Sequence, residues 1–374
     1  MRLRSDWFVY RRHLECDFSV TATASPGSHV SNDNNSPIQN AAGSQVDHPV
    51  PSPLAQAVGH PSPAAAGLGS GHGWVTALDL ELLHHYTIST CFTLSTQQMT
   101  RDFWRVNLPH MGFSHPYILR GILSLAALHL ARSRASQRGM LIEQAIIHHN
   151  ASVSLALPLI TNIEQEIALS LSFFSVITFY IAFAMPKQPS IFIVGTDGVI
   201  PEWFLLFRGM RCVREANRHA MEGSSLNMMY HGGELMNKIW ESQYVEHDGL
   251  RELESKIRSH VYDQQKVAIL LRASDALKRS FQFFRDTGED DENKVRSVSI
   301  WLFKIEDDFV ALLRHGDREA LCVLAFFAVL LERLDNKWWM NGWGIHLIER
   351  IYAALNEGYR LWIRWAMEEI GWSP

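Results

Sequence analysis

An all-α fold is predicted, and three observations carry the prediction. Apolar residues after position 74 recur every three or four positions, the spacing that lines one face of a helix. No segment of useful length alternates apolar and polar residues in the manner of a strand. The third observation is the stretch 338–372, which holds six of the twelve tryptophans. There Ile348, Ile351, Leu355, Tyr359 and Trp362 repeat at helical spacing among Arg350, Arg360, Arg364, Glu368 and Glu369. Each aromatic ring buries about 150–250 Å², so this helix must close a large core or wall a large apolar cavity.

Bulk properties agree. A chain of 374 residues has room for one large or two smaller domains, and 47% apolar with 20% charged residues suits a protein that buries a real core. The net charge of −5 argues against the bulk of the chain being a nucleic-acid surface. Cys16, Cys91, Cys212 and Cys322 lie far apart with no C-x-x-C pair, the usage of a reducing intracellular compartment. Behind Arg2, Arg4, Asp6, Arg11 and Arg12 no apolar run follows, so no signal peptide is predicted.

The elements follow in chain order. Residues 1–18 are short, basic and aromatic. Residues 19–73 contain no Phe, Trp or Tyr, only Asp33 and Asp47 as charges, and half of all the prolines. Such a stretch cannot bury enough apolar surface to offset its ordering entropy, so a disordered linker is predicted. Ser114-His115-Pro116 reads as a helix start, with a capping-type residue and proline in the first turn. Leu119, Ile122, Leu123, Ala126, Ala127 and Leu130 then form one stripe, closed by Arg132 and Arg134 near the negative end of the dipole. Leu141, Ala145, His148, Ser152 and Leu155 outline a second helix that stops at Pro158.

The segment 163–184 is a third helix, and nineteen residues from Ile167 to Met185 carry no charge. That length reaches a membrane span. Ser170, Ser172, Ser175 and Thr178 interrupt it and no second span exists, so a buried central helix is predicted and no membrane span. A loop over 186–201 precedes a helix over 202–221. Leu253, Ile257 and Val261, then Leu270, Leu277, Phe281 and Phe284, mark one or two long helices. After an acidic loop at 288–292, helices are expected near 295–315 and 318–335, ahead of the Trp-rich one.

Chemistry-bearing patterns are sparse. The sequence holds no G-x-S-x-G elbow, phosphate loop, H-E-x-x-H or dinucleotide fingerprint. His84-His85 and His148-His149 are the obvious pairs among eighteen histidines, yet neighbours on a helix point about 100° apart and make poor chelates. His231-Gly232-Gly233-Glu234 reads as a turn, and the acidic run 289–292 lacks the register of a calcium loop. No enzyme is predicted.

Several segments, taken in order, resemble the regulatory domain of fungal zinc-cluster transcription factors, particularly the sterol uptake control group. They are Asp79-Leu80-Glu81-Leu82-Leu83-His84-His85-Tyr86-Thr87, the Trp104, Leu108-Pro109, Phe113-Ser114-His115-Pro116 segment, and the run from Leu119-Arg120-Gly121 to Leu130-Ala131. Trp203, Leu206, Arg208-Gly209 and Trp339, Gly342-Trp343 complete the set, which spans residues 79 to 372. Arg11-Arg12-His13-Leu14-Glu15-Cys16-Asp17-Phe18 resembles the end of a six-cysteine, two-zinc module. Only Cys16 has a counterpart there: Trp7, Phe8 and Val9 stand where a fifth cysteine belongs, and one thiolate cannot hold two zinc ions.

The resemblance implies three parts: a zinc-cluster remnant over 1–18, a linker over 19–73 and a helical regulatory domain over 74–374. It implies a nuclear transcription regulator, with shuttling from the cytoplasm, whose family binds zinc and DNA. Zinc is not expected on this chain as written, and Arg11 and Arg12 would touch only phosphates, which carry no sequence information. It further implies an apolar cavity for a sterol or other lipid. Phe326, Phe327, Leu330, Trp343, Leu347, Ile351 and Leu355 are the candidate wall, against the alternative that they simply fill the core. Two other readings stay open: a helical interaction or homodimerising module without DNA binding, and a small-molecule carrier or enzyme using the apolar interior.

Overall fold

The computed structural model describes residues 76–160, 165–187, 204, 247–286 and 291–374, and all regular structure among them is helical. Arg11, Arg12, Cys16, the linker over 19–73, the turn at 231–234, and all but Phe204 of the helix expected over 202–221 lie outside the described residues.

Helix α1 (Ala77–Ile88) opens on a capping box. The Thr76 hydroxyl accepts the Asp79 N–H at 3.1 Å, and the Asp79 carboxylate accepts the Thr76 N–H at 2.9 Å, so two orphan donors are satisfied reciprocally. Short α2 (Gln98–Asp102), a π-helical turn at Phe103–Asn107 and α3 (Leu108–Ser114) lead into α4 (Pro116–Ser133). Ser114 is not the cap expected of it: it closes α3, and His115 holds the N-cap position without a side-chain bond. Pro116 suffices, since its fixed φ presets the first turn and its missing N–H was an orphan anyway.

Helix α5 (Arg138–Ile160) runs two residues past the predicted stop at Pro158. Proline forfeits the bond to the carbonyl of Ser154, but buried Val153 and Ala156 hold the last turns against the fold. Helix α6 (Gln165–Ala184) follows. It is the one described helix long and apolar enough to cross a membrane by length and composition, and 72% of that window is buried inside the protein. Its hydroxyls are satisfied within the helix: Ser172, Ser175 and Thr178 donate to the carbonyls of Ala168, Leu171 and Phe174 at 3.0, 3.0 and 2.9 Å. Helices α1, α3, α5 and α6 all pack on α4, which is buried on nearly every side.

The second group comprises α7 (Asp248–His260), α8 (Gln264–Asp286), α9 (Asp291–Lys304), α10 (Asp307–Arg314), α11 (Arg318–Glu332), α12 (Trp343–Ala354), α13 (Glu357–Arg360) and α14 (Arg364–Ile370). Helix α11, apolar around its whole circumference, is the axis on which α7, α8, α9, α10, α12 and α14 pack. The single helix expected over 295–315 is two. Ile305 turns into the core, Glu306 is extended (φ −85°, ψ 161°), and Asp307 and Asp308 restart a helix at its favourable end. The Trp-rich helix is likewise broken. Leu355 is extended (φ −93°, ψ 144°) and buried, and Asn356 accepts the Tyr359 N–H at 3.1 Å to begin α13.

Between α11 and α12 the chain makes a tight turn. Gly342 takes φ +71°, a conformation costly for any side chain, and its N–H donates to the Asp335 carboxylate at 2.5 Å. Two residues on, Gly344 lets α12 approach α11 so closely that an added Cβ would sit 2.7 Å from the Glu332 Cβ and 2.9 Å from the Ala328 carbonyl.

Candidate functional site

The two helical groups meet on the tryptophans of that turn. Trp338 donates its Nε1–H to the Thr93 hydroxyl at 2.8 Å, and its ring lies 4.7 Å from that of His129 on α4. Trp339 sets its ring edge-on to Tyr180 of α6 at 4.8 Å. Trp343 donates to the carbonyl of Phe183 at 2.7 Å and meets the Phe183 ring edge-on at 5.2 Å. Edge-to-face pairs add about 0.5–1.5 kcal/mol each beyond their buried area.

Beside Trp338 lies a cavity of about 300 Å³. Leu128 and Ala131 of α4, Ile142 of α5, Phe183 and Ala184 at the end of α6, Met185 and Trp338 form its apolar wall. Arg132, Arg138 and Lys187 supply three cations, with Pro186 and Asn341 at the margin, and no acidic side chain is among the described lining residues. The helix ends explain the charge: Arg132 lies in the last turn of α4, Arg138 begins α5, and Lys187 follows α6. Arg132 donates to the Trp338 carbonyl at 3.2 Å, tying α4 to the turn. Partial burial lowers the Lys187 pKa; nearby Asp335 opposes the effect and Arg132 adds to it.

Behind Trp338, His129 Nδ1 meets both the Thr90 hydroxyl at 3.0 Å and His85 Nε2 at 3.2 Å. A neutral ring with an unprotonated Nδ1 accepts from both, a tautomer assigned from the partners. Burial first, then His85 and Arg132, depress the His129 pKa to about 4. A second polar cluster ties α1, α4 and α5. Arg120 Nη1 lies 3.0 Å from His148 Nδ1, and His148 Nε2 approaches Asp79 Oδ1 at 3.0 Å. That approach is an ion-pair distance off hydrogen-bond alignment, and both side chains are buried. Burial lowers the His148 pKa while Asp79 opposes it. Both clusters link helices, the first through Thr90, His85 and His129 and the second through Asp79, His148 and Arg120, and so act as polar staples.

The seven wall candidates named from sequence are all in the core. Phe326 stacks on Trp365 with centroids 5.0 Å apart, Phe327 stacks on Trp301 at 4.3 Å, and Leu330, Leu347, Ile351 and Leu355 are at most 2% exposed. None lines the 300 Å³ cavity, although Trp343 reaches its wall through Phe183. Sequence reasoning passed over Arg132, Arg138, Lys187 and Trp338. The available signal was a cation in the last turn, at the start or just past the end of three helices, and their convergence lay in the packing.

Comparison with known proteins adds the family context. No family model matches the chain. Over 315 residues, 76% of the chain and 60% of the relative, it is 24% identical to a Zn(2)-C6 fungal-type transcription factor of Gibberella zeae. It is 28% identical over 147 residues to the Zn(2)-C6 fungal-type transcription factor afumD of Aspergillus fumigatus, which is 37% of each protein. The chain is similar to fungal Zn(2)-C6 transcription factors. A shorter match, 30% identical over 91 residues, links it to Sterol uptake control protein 2 of Candida albicans, covering 21% of the chain and 13% of that protein. The chain therefore spans about a third to three-fifths of the length of the first two Zn(2)-C6 relatives.

The zinc cluster that gives these Zn(2)-C6 factors their name finds no fit here. The chain has four cysteines. Cys91 and Cys322 are fully buried, and burial raises both thiol pKa values, which disfavours the thiolate a metal needs. Among the described residues no group of three His, Cys, Asp or Glu side chains can hold a metal. Cys16 lies outside them, and it and Cys212 together fall short of six thiolates.

Proposed function

We propose that this protein regulates transcription by RNA polymerase II in the nucleus, as a non-catalytic ligand-sensing or partner-docking body rather than a sequence reader. The observation that carries this is the 315-residue similarity to a Zn(2)-C6 transcription factor together with the match to a sterol uptake control protein. In this reading residues 74–374 are the regulatory domain, 19–73 a linker and 1–18 the remnant of a zinc-cluster module. The all-helical body with its joint at Trp338–Trp343 supports a sensor, since a ligand acts only by binding one arrangement better than another. Sequence-specific DNA contact is not assigned to this chain, because its residues do not fit the cluster that would provide it.

A reporter measurement tests the reading. The full chain is fused to a heterologous DNA-binding module in fungal cells, and reporter output is followed as cellular sterol is depleted. Output that changes with sterol supports a lipid-responsive regulator. Output equal to that of the DNA-binding module alone, in both conditions and with the fusion in the nucleus, overturns it.

A second reading is a helical module that dimerises with longer relatives. The buried helical body, which carries the similarity to these relatives, is compatible with it, since related regulatory bodies can pair through matching faces. Co-purification of the chain with a full-length relative would separate this from ligand sensing.

A further inference from the structure

We infer that the cavity beside Trp338 binds an amphiphile with an anionic head and a short apolar tail, a medium-chain carboxylate being its simplest form. Three cations of separate elements, Arg132, Arg138 and Lys187, converge on one recess with no acidic side chain among its described lining residues. This is the opposite of the chain's overall balance of −5. Among the described residues Arg138 and Lys187 have no ion-pair partner, and the nearby Asp335 carboxylate is committed to the Gly342 N–H and to Asn341. Clustered cations repel, and partly desolvated ones are stabilised by an anion that arginine can grip with two parallel bonds.

The rest of the wall requires a tail. Leu128, Ile142, Phe183 and Trp338 offer hydrocarbon and aromatic surface that inorganic phosphate would leave uncovered. The volume of about 300 Å³ corresponds to about ten water volumes and so to an acyl chain of about eight to ten carbons. A ligand there would touch α4, α5, the end of α6 and the turn before α12 at once. It would thereby bias the joint between the helical groups. This inference deepens the reading of the chain as a sensor, and names a charged ligand class in place of a neutral sterol.

The test is direct binding to the purified full chain, read by calorimetry and by tryptophan fluorescence, with decanoate below its micellar concentration. Decanol supplies the same tail without charge, and inorganic phosphate supplies an anion without a tail. The expected result is saturable one-to-one binding of decanoate, with decanol and phosphate about tenfold weaker or more. Arg138→Gln and Lys187→Gln, at exposed positions, should together weaken decanoate about tenfold with unchanged circular dichroism. Equal binding of decanol and decanoate, phosphate binding as tight as decanoate, or an undiminished affinity in the double variant would each overturn the proposal. Because the assay contains no transcription, a silent reporter with intact decanoate binding would count against the regulator reading alone.

Discussion

Trp343 donates its indole N–H to the backbone carbonyl of Phe183 at 2.7 Å, joining residues 160 positions apart. The bond fastens the start of α12 to the end of α6, and the two rings meet edge-on at 5.2 Å. A Trp343→Phe substitution keeps much of the ring contact and removes the donor. The expected cost is about 1–3 kcal/mol, the range for a lost buried hydrogen-bond partner, measured by urea denaturation. An unchanged midpoint would show that the joint does not depend on this bond.

Two glycines should respond to alanine with opposite signs. At Gly344 the new Cβ would meet the Glu332 Cβ at 2.7 Å and the Ala328 carbonyl at 2.9 Å, the latter backbone and the former fixed to it, so neither can yield cheaply. Overpacking of this kind costs about 1–3 kcal/mol. At Gly139, inside α5, nothing lies within 4 Å, so alanine should stabilise by about 0.5–1 kcal/mol through helix propensity. Thermal melts of the two variants check the pair.

Asp79 serves two structures at once, the cap of α1 and the cluster with His148 and Arg120. Asp79→Ala should therefore cost about 2–4 kcal/mol, more than the ~1 kcal/mol of a lost cap alone. Asp79→Asn keeps an oxygen for the cap and should cost less. Equal losses in chemical denaturation would mean that the retained cap oxygen contributes nothing and that the charged partnership carries the whole effect.

Stability should fall on mild acidification. Burial depresses the pKa values of His129 and His149 to about 4, against an ordinary value near 6.5. Between those values the unfolded chain binds protons that the native state refuses. The contribution is therefore full above pH 6.5 and is lost as pH falls toward 4. The melting temperature should be lower at pH 5 than at pH 7.5, and His149→Asn should flatten the dependence. His149 is the cleaner target, because its Nδ1 is sealed from solvent without a hydrogen-bond partner.

Phe327 stacks on Trp301 at 4.3 Å with an interplanar angle of 24°, both fully buried. Phe327→Ala should cost about 3–5 kcal/mol by cavity formation without moving the pocket beside Trp338. A variant that still binds decanoate after correction for stability would separate core from site.

Much of this architecture was legible in the chain. Helical periodicity located α4, α5, α6 and α11, because a repeating apolar stripe has one stable use, burial against other helices. The breaks were less visible. Ile305 and Leu355 keep the spacing of a continuous helix, yet each is turned inward on extended backbone at or beside it. Ser114 looked like a cap and is the last residue of the preceding helix, since Pro116 makes a cap less necessary. The candidate wall from Phe326 to Leu355 is buried, and hydrophobicity does not distinguish a residue that fills a core from one that lines a void.

By itself, the sequence determined that this protein is helical, that the helix around 167–184 is buried and which transcription factors it resembles, because those properties follow from local spacing and from ordered motifs. Tertiary structure alone decided which helix ends converge on Trp338. Arg132, Arg138 and Lys187 acquire a shared recess only when α4, α5 and α6 pack. The physical reason is that a stripe's periodicity specifies the face to be covered and says nothing of the partner that covers it, so charges at helix termini become a site only once the packing is chosen.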